Sequence, residues 1–237
     1  NSYQHQIAMR VGGANYRYNE ALKIDEDAFN KYRNMYESFG LGIKTEIDLP
    51  VESLGYRGSS TLPGHLLDFS IGQYDTYTPI QLSQYINTMA NSGIRIKPHL
   101  LKEVYKPSSN GEKFGDKIYT AETTILGHVD VEDKYINRVK EGFNDVVMQG
   151  LGYGYMGYYN NSAGKTGTSQ SFIDTDGDKV VDTETITTSF VGYSPSDNPK
   201  MSIVVVSPDV SYGDGYTSNV TKRISSQVVN KFFELNS

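Results

Sequence analysis

The strongest constraint on the fold lies in two β-rich runs, "TETITTSFVGY" at 183–193 and "KMSIVVVSP" at 200–208, joined by "SPSDNP". β-Branched and aromatic side chains fit a pleated, half-buried surface, and the connecting Ser, Pro, Asp and Asn carry turn chemistry. The runs are therefore expected to pair as an antiparallel hairpin. The segments around them have helical spacing. Ser2 to Val11 places Tyr3, Ile7, Ala8 and Val11 on one face before Gly12-Gly13, and Asp27 to Phe39 does so with Phe29, Tyr32, Tyr36 and Phe39 before Gly40. "TPIQLSQYINTMANSG" has Thr78 as N-cap, Pro79 at the first helical position and Gln81 three residues after the cap, with Leu82, Tyr85, Ile86 and Met89 facing the core and Gly93 closing.

A further helix is expected from about Val131 to Met148, capped by Asp130 and packing Tyr135, Ile136, Val139, Phe143, Val146 and Val147. The last should run from Val220 to Leu235 on Ile224, Val228 and Phe232. Helices first, then antiparallel strands, then a packing helix give an α+β architecture, an antiparallel sheet packed with helices.

Charge and composition remove several functions. Twenty-two basic against 28 acidic residues leave a net charge of −6, so no sequence-wide field draws the chain to nucleic acid. The absence of cysteine excludes disulfides, thiol nucleophiles and thiolate metal sites. His5, His65, His99 and His128 lack ligand spacing, and no metal or cofactor is expected. "DTDGDKVVD" gathers Asp174, Asp176, Asp178 and Asp182, but Lys179 and Thr185 stand where a calcium loop needs glycine and glutamate. An acidic turn is expected there.

Chemistry concentrates in "YYNNSAGKTGTSQSFIDTDGDK", around Gly164-Lys165-Thr166-Gly167-Thr168. A phosphate loop needs a glycine where Tyr159 stands and a helix after the threonine, whereas 169–173 looks extended. Two readings stay open: a lysine on an exposed strand leading into a turn, or one wall of a serine acyl-transfer site. In the second, glycine permits close approach and strand backbone groups hold an extended peptide. Tyr153, Tyr155, Tyr158 and Tyr159 either wall such a groove or pack on the domain with hydroxyls in water.

"SAGKTGTSQ", "FGLGIKTEIDLP", "SIGQYDTYTPIQLSQYINTMANSGIRIKPHLL" and "TTSFVGYSPSDNPKMSIVVV" occur in the order that resembles the transpeptidase domains of class B penicillin-binding proteins. That family's signature is Ser-x-x-Lys, Ser-x-Asn and Lys-Thr-Gly, and Lys165-Thr166-Gly167 looks like the third element. Two literal matches are set aside. Ser196-Asp197-Asn198 follows Lys165 and lies in the expected turn, and Ser162-Ala163-Gly164-Lys165 leads into a strand where the nucleophilic pair needs a helical turn. Asn1 resembles the asparagine that ends the second element, which puts the Ser-x-x-Lys serine and lysine upstream of these residues.

The resemblance implies a penicillin-binding transpeptidase (β-lactamase-like) fold, with residues 1–237 as the C-terminal portion of one transpeptidase domain. It further implies peptidoglycan D,D-transpeptidation through a serine acyl-enzyme that β-lactams also acylate. Lys165, Asn1 and Thr168 would be catalytic, Thr168 through a backbone N–H in the oxyanion hole, and Thr166, Gly167, Thr168 and Gln170 would hold substrate. The implied partners are the stem peptide, β-lactams and the N-terminal half with the nucleophile. The implied location is the extracellular face of the bacterial cytoplasmic membrane, with the anchor outside this chain. The alternatives are a hydrolase or β-lactam sensor on the same fold, and a non-catalytic stem-peptide binding module.

Overall fold

The computed structural model describes residues 2–15, 17, 19–108, 111, 113–155, 161–212 and 219–236. Among them the helices are α1 (Ser2–Gly12), α2 (Ala28–Ser38), α3 (Pro63–Phe69), α4 (Pro79–Ala90), α5 (Asp133–Met148) and α6 (Val220–Leu235). The strands are β1 (Ile94–Ile96), β2 (Glu103–Tyr105), β3 (Lys117–Thr120), β4 (Ile125–His128), β5 (Ala163–Ile173), β6 (Thr183–Ser194) and β7 (Met201–Tyr212).

The expected hairpin is β6–β7, and β5 adds antiparallel to the other side of β6, so the sheet order is β5-β6-β7. Because side chains alternate across a strand, β6 feeds two cores. Phe190 joins Ile203, Val229 and Val147 on the α6 side, while Val191 and Tyr193 join Ala163, Ile86, Met89, Ile136 and Phe143 on the side of α4 and α5. The sheet is thus the middle layer between helices, as an α+β chain requires.

Helix α4 starts where the sequence places it. Thr78 and Gln81 form a complete capping box, with Pro79 in the first turn. The amides of two core-facing glutamines then hold the neighbouring loop. Gln81 Nε2 donates to the carbonyls of Ile43 and Leu54, and Gln84 Nε2 donates to those of Thr45 and Ile96. A second core, Ala8, Ala28, Phe29, Tyr32, Leu66 and Phe69, joins α1, α2 and α3. It is tied to the approach to α4 by Arg33, whose Nε and Nη2 donate to the Asp75 carboxylate at 2.8 and 2.9 Å.

Several helical details differ from expectation. On α1 only Ala8 of the four expected contacts is buried, because the helix approaches through small residues. A Cβ on Gly12 would stand 3.1 Å from Ala28 Cβ and 2.5 Å from Leu66 Cδ2. Helix α5 begins at Asp133 after Glu132, without the Asp130 cap, and leaves Tyr135 and Val139 exposed while Ile136, Phe143 and Val147 are buried. The inward face of α6 is Thr221, Ser225 and Val229, one position on from Ile224 and Val228, which are exposed. Short hydroxyl side chains let α6 lie close to the sheet, and apolar periodicity does not count them. Helix α3 and the two-stranded ladders β1–β4 and β2–β3 are too short to carry a periodic signal.

Candidate active site on the β5 edge

The start of β5 is pinned from below. Ser162 and Ser194 are fully buried and their hydroxyls lie 2.9 Å apart, while Asn144 Nδ2 donates to the Ser162 carbonyl at 3.0 Å. Ser162 is therefore a structural hydroxyl, and its match to Ser-x-x-Lys is accidental. The Ser196-Asp197-Asn198 string sits in the β6–β7 turn, where Ser196 N donates to the Asn161 carbonyl and ties the turn to the approach of β5.

From there β5 runs as an edge strand, with β6 as its one partner in the sheet among the described residues. Register fixes which residues share a face. Lys165, Gly167 and Ser169 lie opposite Val191, Ser189 and Thr187, whereas Thr166, Thr168 and Gln170 lie opposite Phe190, Thr188 and Ile186. The expected lysine and threonine hydroxyls thus leave the strand on opposite faces, while the backbone N–H and C=O groups remain in the plane of the sheet.

Lys165 is an exposed residue, but its amine folds back and donates to the Thr166 carbonyl at 2.5 Å. Loss of water around that amine lowers its pKa below the ordinary lysine value. Close packing explains two of the glycines. A Cβ at Gly164 would overlap the Phe190 ring and stand 2.7 Å from the Val191 carbonyl oxygen, and one at Gly167 would overlap the Ser189 hydroxyl. Gln170 Nε2 donates to Glu184 Oε1 at 2.7 Å. On the α6 face, Thr188 Oγ1 is buried without a hydrogen-bond partner among the described residues, beside the Thr168 position.

Asn1, Tyr158 and Tyr159 lie outside the described residues. Tyr153 is exposed, and the Tyr155 ring is covered by Lys222 of α6, whose Nζ is 4.6 Å from the ring centre. Asp174, Asp176 and Asp178 do gather at the β5–β6 turn, with their ligand atoms within 4.8 Å of one another and all three exposed. The Asp174 carboxylate accepts the backbone N–H groups of Gly177 and Lys179, which lower its pKa and close the turn. A separate cavity of about 150 Å³ between α2, Leu54–Arg57 and Tyr77 includes no β5 residue. Ser189 was not singled out by sequence, since only the strand register sets it beside Gly167.

A Lys-Thr-Gly edge strand on an antiparallel sheet with helices on both faces defines the class of penicillin-recognising acyl-transfer folds. Residues 6–230 match the penicillin binding protein transpeptidase domain, and the chain belongs to that family. It is 43% identical to penicillin-binding protein 2A of Bacillus subtilis (strain 168) across 100% of this chain and 33% of that protein. It is 34% identical to penicillin-binding protein H of the same organism, across 99% and 32%. The structure of penicillin-binding protein 2B from Streptococcus pneumoniae (strain R6) superposes with a TM-score of 0.83 at 30% identity, covering 99% of this chain and 37% of that one. The relatives are class B penicillin-binding proteins, and the chain spans about a third of their length.

Proposed function

We propose that this chain supplies the Lys-Thr-Gly wall of a peptidoglycan D,D-transpeptidase. The supporting observation is Lys165: a partly desolvated amine on a strand that stands at the edge of the sheet among the described residues, the position from which a strand can pair with an extended peptide. The nucleophilic serine and its activating lysine come from an upstream segment of the polypeptide. That segment is the partner for this wall.

The serine hydroxyl attacks the carbonyl of the D-Ala-D-Ala peptide bond. An ester forms, the C–N bond breaks, and D-alanine leaves as its nitrogen takes up a proton. An amine from a second stem then attacks the ester, restoring the serine and leaving a new peptide bond. The ammonium of Lys165 favours the terminal carboxylate and the charge that develops beside it. The Thr168 backbone N–H and that of the serine hold the oxyanion, each worth about 2.7–4 kcal/mol of transition-state stabilisation. Thr166, Thr168 and Gln170 offer polar groups from the α6 side, Gly167 keeps the strand backbone approachable, and Asn1 hydrogen-bonds the catalytic lysine or the substrate amide. A β-lactam acylates the same serine. The reaction takes place at the extracellular face of the cytoplasmic membrane.

The test uses the full-length polypeptide and intact-mass analysis after exposure to benzylpenicillin. One covalent adduct is expected on the wild type, with acylation strongly slowed by Lys165→Ala. Unchanged acylation by the Lys165→Ala protein would remove Lys165 from the mechanism. Stem-peptide affinity without any adduct would make the molecule a binding module.

A further inference from the structure

We infer that the cavity between α2, Leu54–Arg57 and Tyr77 is a binding site for a small neutral ligand, a single ring carrying a primary amide. The site is separate from the β5 edge, and the inference does not draw on the proposed reaction. The cavity measures about 150 Å³, a space that holds one benzene-sized ring. Tyr36, Tyr56 and Tyr77 line it together with Leu41 and Leu54. Gly42 stands in the same wall with φ +75°, and a Cβ there would meet only Tyr77 Cε1 within 4 Å, at 3.6 Å, so the missing side chain leaves open space. Well-packed chains retain few voids of this size, since neighbouring groups relax into them. Here polar ties hold the walls apart. Arg33 of α2 donates twice to Asp75 and once to the Gly58 carbonyl, Tyr56 and Thr76 exchange backbone hydrogen bonds at 3.0 and 2.9 Å, and the Leu54 carbonyl accepts from Gln81 Nε2 at 3.3 Å. These bonds fix α2, the 54–57 segment and the start of α4 around the space without filling it.

Charge selects the polar part of the ligand. The cavity is lined by two arginines and two acids, and they cancel in pairs, Arg33 with Asp75 and Arg57 with Glu37. The first pair is nearly dry and fully engaged, whereas the second lies at the open side, with side chains 60% and 35% exposed. Arg57 Nη1 stands 3.7 Å from Glu37 Oε1, beyond hydrogen-bond distance. The guanidinium therefore keeps a donor and the carboxylate an acceptor, side by side and without net charge. A carboxylate on the ligand would be repelled by Glu37, and an ammonium by Arg57. A primary amide suits both, since its oxygen accepts from Arg57 while its N–H groups donate to Glu37. The ring then lies among the tyrosines and leucines that line the same cavity.

The experiment titrates the full-length polypeptide with benzamide, toluene, benzoate and benzylamine, followed by saturation-transfer NMR of the probes. Benzamide should bind with a dissociation constant on the order of 1 mM, and the other three at least about fivefold more weakly. Arg57→Met and Glu37→Gln alter side chains at the open side of the cavity, and circular dichroism should show both variants folded as the wild type is. Arg57→Met leaves the carboxylate alone, so benzylamine should become the tightest of the four probes. Glu37→Gln leaves the guanidinium alone, so benzoate should become the tightest. Failure of benzamide to saturate by about 10 mM would overturn the inference, because water or another part of the polypeptide would then fill the space. Unchanged probe order in both variants would place the ligand elsewhere, and toluene binding as tightly as benzamide would remove the amide from the site. Either of these results overturns the inference as well.

Discussion

The Arg33–Asp75 pair offers a quantitative test of how the helical part is fastened to the sheet part. Asp75 Oδ2 accepts from Arg33 Nε at 2.8 Å, and Oδ1 accepts from Arg33 Nη2 and from the Gly58 N–H, both at 2.9 Å. The two side chains are 11% and 4% exposed, so the pair is nearly dry. Asp75→Ala leaves the guanidinium with the Gly58 carbonyl and the faces of Phe29 and Phe69, and leaves the Gly58 N–H without its acceptor. Removing one partner of a buried pair costs about 3–5 kcal/mol. The two ring contacts and the residual exposure of Arg33 favour the lower figure, about 3 kcal/mol. At about 2–4 °C per kcal/mol for a chain of this size, the melting temperature should fall by roughly 6–12 °C.

Removing both charges separates a lost attraction from a stranded ion. Arg33→Met with Asp75→Leu fills similar volume and leaves no stranded charge, but takes the acceptor from the Gly58 N–H and the donor from the Gly58 carbonyl, an unpaired backbone group costing about 1–3 kcal/mol. The double variant should therefore be more stable than Asp75→Ala alone, with a coupling energy of about 2 kcal/mol in a double-mutant cycle. The assay is thermal and urea unfolding of the full-length polypeptide, with benzylpenicillin acylation as a check that the folded fraction keeps its site. A shift under about 2 °C for Asp75→Ala, or additive losses in the double variant, would refute the argument.

Two further outcomes follow from the sheet. Phe190 is fully buried beneath Gly164 and Gly192, and Phe190→Ala should cost about 3–5 kcal/mol in unfolding free energy; a loss below about 1 kcal/mol would show that the α6-side core collapses to fill the space. The Lys165 pKa is depressed by desolvation, so benzylpenicillin acylation that uses its ammonium should decline on the alkaline side with a midpoint below 10.5, the ordinary lysine value. For stability the sign is the reverse: the desolvation cost is present while folded Lys165 is charged and is relieved as pH rises through its folded pKa, so any advantage of Lys165→Met should shrink there. An acylation midpoint at or above 10.5 would contradict the desolvated amine.

What the sequence conveyed, and what it concealed, both follow from the range of the interactions involved. The capping box at Thr78 and the turn between β6 and β7 are built from neighbours in the chain, so they are legible as short strings. The inward face of α6 is not, because Thr221 and Ser225 face inward through closeness to the sheet, which no local polarity count registers. The site divides in the same way. Lys165-Thr166-Gly167 is contiguous and could be singled out, and strand alternation alone separates its ammonium from its hydroxyl. The reason for glycine at 167 could not be read, since it depends on a residue 22 positions away whose hydroxyl occupies the space of the absent Cβ. Sequence therefore singles out the strand that carries Lys165, while the register of the sheet sets which side chains share its face.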